Sequence, residues 1–511
     1  MVSFSPQVIS TQDSVIEKMR KHPLATSIII AAGLRLLAVI FAKGYMAMDD
    51  HFLVIRVVDY WLHGIPFWFE GGAPIARGVI YQYTLYALMW GLKQVNLTDP
   101  SIVMFIIRFL HAAWSLTIIP LMYFGLRKYA DQRAAWLGTM LASIHFLMPF
   151  LAVRNLVEVV CQPFLFGGLL LLEVEVKEKN RPKFLFLGGI LLGLAFMVRI
   201  QTALCPIAVF FVLLILHKWK PLLFFSLGGI TVLLIQGVID YISFGFFLSS
   251  VVYSLGYQST IVHSFITNPW YTYILTVLGI FIPPFSILIF PWVAKTVRRL
   301  PLIFWATIFF FVIHSLIPQK QERFLLPLFP LLIFLLTVGW SMVSWREKRW
   351  VRGCWNWMWG VNLILLPMAT FNYSQKARIE PLIELSKLPE VNKVVVESIE
   401  NPTWLPEYYD QKHQPEGTYK YIFHPEDYDR FASEMEMVGE GNPSPYTHAI
   451  ILTHQDIEAH KERLEAIFGP LTLIRHVGPS LADWILHKMN PTHNHSKESW
   501  VFKIENKSKI K

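Results

Sequence analysis

PLATSIIIAAGLRLLAVIFAKGYMAMDDHF, residues 23–52, decides how the rest of the chain is read. A run of about 18–20 apolar residues crosses a bilayer as a helix. The run over 24–43 has that length, and it delivers Asp49, Asp50 and His51 to the membrane surface. Comparable segments follow near 101–125, 134–152, 156–175, 184–198, 202–217, 221–243, 271–293, 300–317, 324–343 and 351–371. The composition agrees: of 511 residues 54% are hydrophobic and only 16% charged, with mean hydropathy +0.44. The pattern predicts an all-α polytopic membrane protein of about eleven transmembrane helices.

The net charge of +9 sits in short basic clusters between the spans, such as Arg127/Lys128/Arg133 and Arg346/Lys348/Arg349/Arg352. That distribution reads as an orientation signal rather than a nucleic-acid surface. Residues 1–23 are polar and precede no small-residue cleavage site, so they read as a cytoplasmic segment ahead of a retained first span. Counting alternate loops from there places Asp49, Asp50 and His51 on the outer face. The first outer loop, 44–100, contains ARGVIYQYTLYALMWGLK (76–93), which reads as a re-entrant or surface helix. Cys161, Cys205 and Cys354 all lie in apolar segments, without metal-ligand or paired spacing.

Beyond residue 376 the chain turns polar. β-type runs (NKVVVES, TYKYIF, THAIIL, LTLIRHV, DWILH) alternate with amphipathic helical runs (PEDYDRFASEMEMV, QDIEAHKERLEAIF). This predicts a small α/β domain over 376–490 on the outer side. Residues 491–511 read as a polar tail whose His493 and His495 are solvated rather than metal-bound. The membrane part, 24–371, shows no internal repeat of the kind that builds many transporters.

Several costly side chains then surface at one rim: Asp49, Asp50, His51, Glu70, Arg77, Arg154, Arg199, His314, Lys320, Glu322 and Arg323. Ionisable groups at membrane depth face protein or water and mark function. The alternative is plain anchoring: a lone Arg56 or Arg108 snorkels, and Asp49–Asp50 forms a solvated helix end. One carboxylate with several cations suits a particular reaction. A sugar leaving as the glycoside of a lipid phosphate departs as a weakly basic anion, which Arg and Lys stabilise without a general acid. The attacking hydroxyl still needs a base, and one aspartate suffices. The paired carboxylates of a hydrolase are not required.

The motifs resemble one family. DDHF at 49–52 is similar to the D-E-H-F element of the GT-C class α-mannosyltransferases that use polyprenyl-phosphate mannose to extend N-glycan precursors and glycosylphosphatidylinositol anchors. QKQERFLLPLFP (319–330), preceded by His314 and Ser315, resembles the family's H-K-E-x-R-F-l-x-P signature. Between them FWFEGGAPIARG (67–78), IDYISFG (239–245) and NPWYTYIL (268–275) resemble weaker elements in the same order. Asp50 stands where the family has Glu, Gln319 where it has His and Gln321 where it has Glu. VRNLVEVVCQP (153–163) keeps an Arg and a Pro but lacks the family's Ser/Asn/Glu pattern. These departures bear on acceptor and sugar more than on reaction type.

The resemblance implies a GT-C fold and transfer with inversion from a polyprenyl-phosphate sugar to a glycan or glycolipid acceptor. It implies Asp49 as the base, and Asp50, His51 and Glu70 as supports on the acceptor side. Arg77, Lys320 and Arg323 would face the donor phosphate, with Glu322 orienting one of them. No metal or other cofactor enters this scheme, and membrane lipid is the surrounding partner. A nucleotide-sugar transferase would need a glycine-rich phosphate loop, which the chain lacks. A transporter or flippase of lipid-linked saccharide and a noncatalytic scaffold are the remaining readings. The departures from eukaryotic motifs favour a bacterial cytoplasmic membrane over the endoplasmic reticulum.

Overall fold

The architecture was obtained as a computed structural model. It describes residues 22–505 except 66–68, 71–72, 75–77, 262–266, 401, 412–416, 439–443, 454 and 492–496. His493, His495 and Arg77 therefore lie outside the described residues.

Apolar helices form where the hydropathy demands them, and their ends carry ordinary start signals. Proline opens the helix Pro23–Phe41. Asp99 caps Pro100–Leu116, accepting from the amides of Ser101 at 2.8 Å and Ile102 at 3.0 Å. Such capping satisfies amides that have no partner within the helix. Arg35, buried inside the first helix, donates to Ser115 Oγ at 2.8 Å and to the Ala31 carbonyl at 3.3 Å. Helices Pro182–Val198 and Trp219–Phe244 cross in backbone contact. A Cβ at Gly189 would come within 2.1 Å of the Phe225 carbonyl oxygen, so only glycine fits.

Among the described residues five helices are long and apolar enough to cross a membrane, or six with one bent pair counted as a span. Pro182–Val198, Ile200–Ile215 and Pro301–Leu316 are shorter apolar helices. Two expected spans are broken. The segment 271–293 splits into Thr272–Ile280 and Phe285–Lys295, bent by 117° across Pro283 and Pro284. Proline lacks the amide that would continue the ladder. The segment 134–152 splits into Gln132–Ile144 and Leu147–Ala152.

The first long loop is structured. It runs through Met48–Asp50, a single π-type turn at His51–Ile55 and a helix Arg56–Leu62. A short hairpin of β1 (Phe69–Glu70) and β2 (Ala73–Pro74) follows, then the helix Ile80–Gln94. Tyr81, Leu85 and Met89, spaced four apart on that helix, are buried with Ile379, Leu382, Val394 and Tyr408 in one apolar cluster. The first loop and the C-terminal region thus share a core, which joins Asp49's surroundings to the end of the chain.

The C-terminal region carries β3 (Lys393–Glu397), β4 (Tyr419–Ile422), β5 (Tyr446–Ile451), β6 (Leu471–Val477) and β7 (Ser499–Ile504). They form a sheet in the order β4-β3-β5-β7-β6. β3 is parallel to both β4 and β5, and its Val394, Val395 and Val396 are fully buried, as both-faced burial of a central parallel strand requires. Two expectations are corrected here. Residues 491–511 are not all tail: Ser499–Ile504 is inserted between β5 and β6, antiparallel to each. Its Val501, Phe502 and Ile504 are buried, and the polar residues around them disguised the strand. DWILH is helical, within Leu481–Met489, because Ser480 caps the amide of Asp483 at 3.2 Å. A short apolar run of this kind fits either structure by pattern alone.

Candidate active site

Three turns of chain bring the charged residues together. The first follows the Pro23–Phe41 helix. Arg154 grips it, donating to the carbonyls of Lys43 at 2.8 Å and Gly44 at 2.5 Å, and to Asn372 O and Ser374 Oγ at 3.3 Å each. Gly44 has φ +81°, and a Cβ there would lie 1.8 Å from the Ser374 carbonyl oxygen. Asp50 then folds back on the same turn. Its Oδ1 accepts from the Ala47 amide at 2.8 Å and its Oδ2 from the Met46 amide at 3.1 Å. Burial pushes the Asp50 carboxyl up to about 7, while the Met46 amide pulls the other way. The turn so locked presents Asp49, whose side chain is 30% exposed.

The second turn joins Pro301–Leu316 to the Glu322–Leu328 and Phe329–Ser341 helices. Tyr273 holds it, donating its hydroxyl to the Gln321 carbonyl at 3.2 Å and accepting from the Gln321 amide at 3.3 Å. Gln321 Oε1 accepts from Arg323 Nε at 2.7 Å, which aims the guanidinium. Arg323 Nη2 then donates to Asp49 Oδ2 at 2.5 Å, across 274 residues of sequence. On the same turn, the amine of Lys320 donates to Ile317 O at 2.6 Å and Asn268 O at 3.0 Å. An ammonium has three N–H groups, so these two carbonyls leave capacity for a further acceptor. Burial draws the Lys320 pKa down.

The third contribution is Glu158, 1% exposed at the start of an apolar helix. Its Oε1 accepts from Arg199 Nη1 at 2.7 Å and lies 3.9 Å from Arg323 Nη1. Phe324 lies beneath both guanidinium groups, at 5.3 Å from Arg199 and 5.5 Å from Arg323. Two carboxylates and two arginines thus form the chain Asp49–Arg323–Glu158–Arg199. Only Asp49, at one end, is substantially open.

The structure brings Asp49 and Arg323 into contact, with Lys320 on the turn that carries Arg323. Other residues singled out in the sequence are redirected. Asp50 faces its own backbone rather than open space. His51 is 1% exposed, stacked between Tyr45 at 5.3 Å and Tyr409 at 5.6 Å, so it fastens the loop to the C-terminal region. Burial drives its pKa down to about 3, with Arg56 adding to the effect, and the ring is neutral. Glu322 is exposed, and the carboxylates paired with Arg323 are Asp49 and Glu158. The backbone of Glu70 lies in β1. The structure adds Glu158 to the site, and gives Gln321 the role of aiming Arg323. A lone glutamate in the apolar run LVEVVCQPF was the available signal for the first. Among the described residues no three His, Cys, Asp or Glu side chains converge as a metal site would need.

A sequence model of the Alg9-like mannosyltransferase family matches residues 26–402. No curated protein sequence matches the chain. Among solved structures, ArnT from Cupriavidus metallidurans bound to undecaprenyl phosphate superposes with TM-score 0.59 at 11% identity, over 94% of this chain and 97% of that one. The Archaeoglobus fulgidus oligosaccharyltransferase in complex with Zn and sulfate superposes with TM-score 0.55 at 12% identity, over 88% of this chain and 70% of that one. The archaeal AglB from the same organism, in complex with an inhibitory peptide and a dolichol-phosphate, gives 0.50 at 12% identity, over 88% of this chain and 71% of that one. These likenesses establish the fold, a GT-C membrane-protein architecture with a C-terminal sheet.

Proposed function

Because the chain belongs to the Alg9-like mannosyltransferase family, we propose that it moves a mannosyl residue, with inversion, from a polyprenyl-phosphate donor to a glycan or glycolipid acceptor at the outer or lumenal membrane face. The observation that carries this reading is the Asp49–Arg323 pair with Glu158 and Arg199 behind it. Two structural neighbours hold lipid phosphates, ArnT undecaprenyl phosphate and AglB dolichol-phosphate, which supports the donor class.

In this mechanism the acceptor hydroxyl attacks the anomeric carbon while the bond from that carbon to the phosphate oxygen breaks. Asp49 takes the hydroxyl proton, and the lipid leaves as its phosphate. Arg323 and Lys320, with Arg77, meet the charge gathering on that phosphate, where fixed cations in a dry site act most strongly. Arg323 also pairs with Asp49. When phosphate oxygens share the guanidinium, its hold on Asp49 weakens and the carboxylate becomes the stronger base. Glu158 keeps Arg199 and Arg323 from repelling one another. Asp50, His51 and Glu70 support the acceptor side, the first two by fixing the loop. Residues 24–371 form the catalytic part, and the motif departures favour a bacterial cytoplasmic membrane.

One observation favours a second reading, a flippase of lipid-linked saccharide. Discontinuous helices line transporter sites, and here the broken segment 272–295 meets the other break where His145 Nε2 lies 3.2 Å from Ile280 O. A single experiment separates the two. Protein reconstituted in vesicles receives polyprenyl-phosphate mannose and oligomannoside acceptors. A mannosylated product supports transfer, whereas lipid flipping without product refutes it.

A further inference from the structure

The segment between β3 and β4 crosses the Asp49 loop and leaves one large aromatic side chain in the open. Thr403 Oγ1 lies 3.9 Å from the sulfur of Met48, the residue before Asp49. Next to Thr403, Trp404 is 50% exposed. Its ring is fixed on one side by Tyr421, centroids 4.6 Å apart, and by Phe423, at 5.1 Å, both steeply inclined to it. Tyr421 is anchored in turn, its hydroxyl accepting from the Leu405 amide at 3.1 Å. Further along the segment, Tyr409 stacks on His51. The segment therefore cannot shift without moving the loop that carries Asp49.

Single exposed aromatics are ordinary on protein surfaces, and Trp404 is distinguished by its place on the segment that touches Met48 and by the two aromatic rings that hold it. Adjacent Cα atoms are about 3.8 Å apart, so Trp404 is separated from Asp49 by two short steps, Trp404 to Thr403 and Met48 to Asp49, joined by one side-chain contact. Glu407, three residues beyond Trp404 and half-buried, adds a carboxylate beside the platform, its Oε1 at 3.5 Å from the Tyr421 hydroxyl. A flat apolar face next to a hydrogen-bond acceptor matches a hexose, which offers C–H bonds on one face and hydroxyls at its edge.

We propose that Trp404, with Glu407, is an acceptor subsite: the C-terminal region holds a neutral hexose glycan by stacking one of its rings on Trp404, while the reacting end of the glycan lies at Asp49. This rests on the transfer reading above and adds to it where the acceptor is held. It also gives the shared core of loop and sheet a purpose, since that core fixes the distance between platform and base.

The test measures binding apart from turnover. Full-length protein carrying Asp49→Asn, in lipid nanodiscs, is titrated by calorimetry with octyl α-oligomannosides of one to four residues. Binding is expected to strengthen from one residue to three. Adding Trp404→Ala should weaken it about five- to tenfold, the usual worth of one aromatic contact, and Trp404→Phe should restore most of the loss. In the transferase assay, with Asp49 intact, Trp404→Ala should raise the acceptor KM and leave the donor KM unchanged. Equal binding with and without the Trp404→Ala substitution, or no binding of any oligomannoside, would overturn the subsite. Oligomannoside binding that depends on Trp404 in a protein that forms no transfer product would uphold the subsite and count against the transferase reading alone.

Discussion

Replacing Glu158 by Gln tests the Asp49–Arg323–Glu158–Arg199 ion-pair chain without removing bulk. Glu158 Oε1 sits 2.7 Å from one guanidinium nitrogen and 3.9 Å from another. At an effective dielectric of about 20 these separations correspond to about 6 and about 4 kcal/mol of gross attraction. Most of that is offset by taking the three charges out of water, since Glu158, Arg199 and Arg323 are 1%, 6% and 9% exposed. Gln keeps an acceptor for Arg199 but removes the negative charge shared by two buried cations, of which Arg323 retains Asp49. Removing one partner from a buried ion pair costs about 3–5 kcal/mol. Reversible unfolding in mixed detergent micelles should show Glu158→Gln destabilised by that amount. Adding Arg199→Met should return a large part of it, because the repulsion disappears. A Glu158→Gln protein within about 0.5 kcal/mol of the parent would refute the ion-pair chain, since surface substitutions fall in that range.

Asp50 predicts a pH dependence. Burial raises its carboxyl from 3.8 to about 7, so between those limits the folded state holds a proton that the unfolded state releases. Its favourable contribution is therefore complete below about pH 4 and is lost as pH rises through about 7, by up to about 4 kcal/mol. Asp50→Asn should flatten the stability profile between those limits, and a parallel pair of profiles would contradict the assignment. Truncation after residue 498 removes β7, the strand between β5 and β6. The C-terminal region should then be digested by protease under conditions that spare the full chain, and equal resistance would show that the strand is dispensable.

The membrane helices were legible because about twenty consecutive apolar residues leave few alternatives. The breaks in 134–152 and 271–293 were not, because hydropathy averages over a window and is blind to direction. Asp49 and Arg323 could be paired in advance only through two motifs far apart in the chain. Nothing in their local sequence brings them to 2.5 Å. The adjacency of Asp50 and His51 to Asp49 is visible in the sequence, and their burial is not. His51 packs between Tyr45 and Tyr409, and only Tyr45 is near it in sequence. Glu158 is hidden in the sequence because its apolar neighbours suggest an ordinary span. In β7 the buried Val501 and Phe502 are adjacent, so a centrally placed strand lacked the alternation that marks a half-buried one.

The central claim is that Asp49 is the base. The direct measurement is single-turnover transfer from polyprenyl-phosphate mannose by Asp49→Asn protein whose unfolding profile matches the parent. The account predicts turnover lower by about 10²–10⁴, with donor binding retained. Turnover near that of the parent would contradict it.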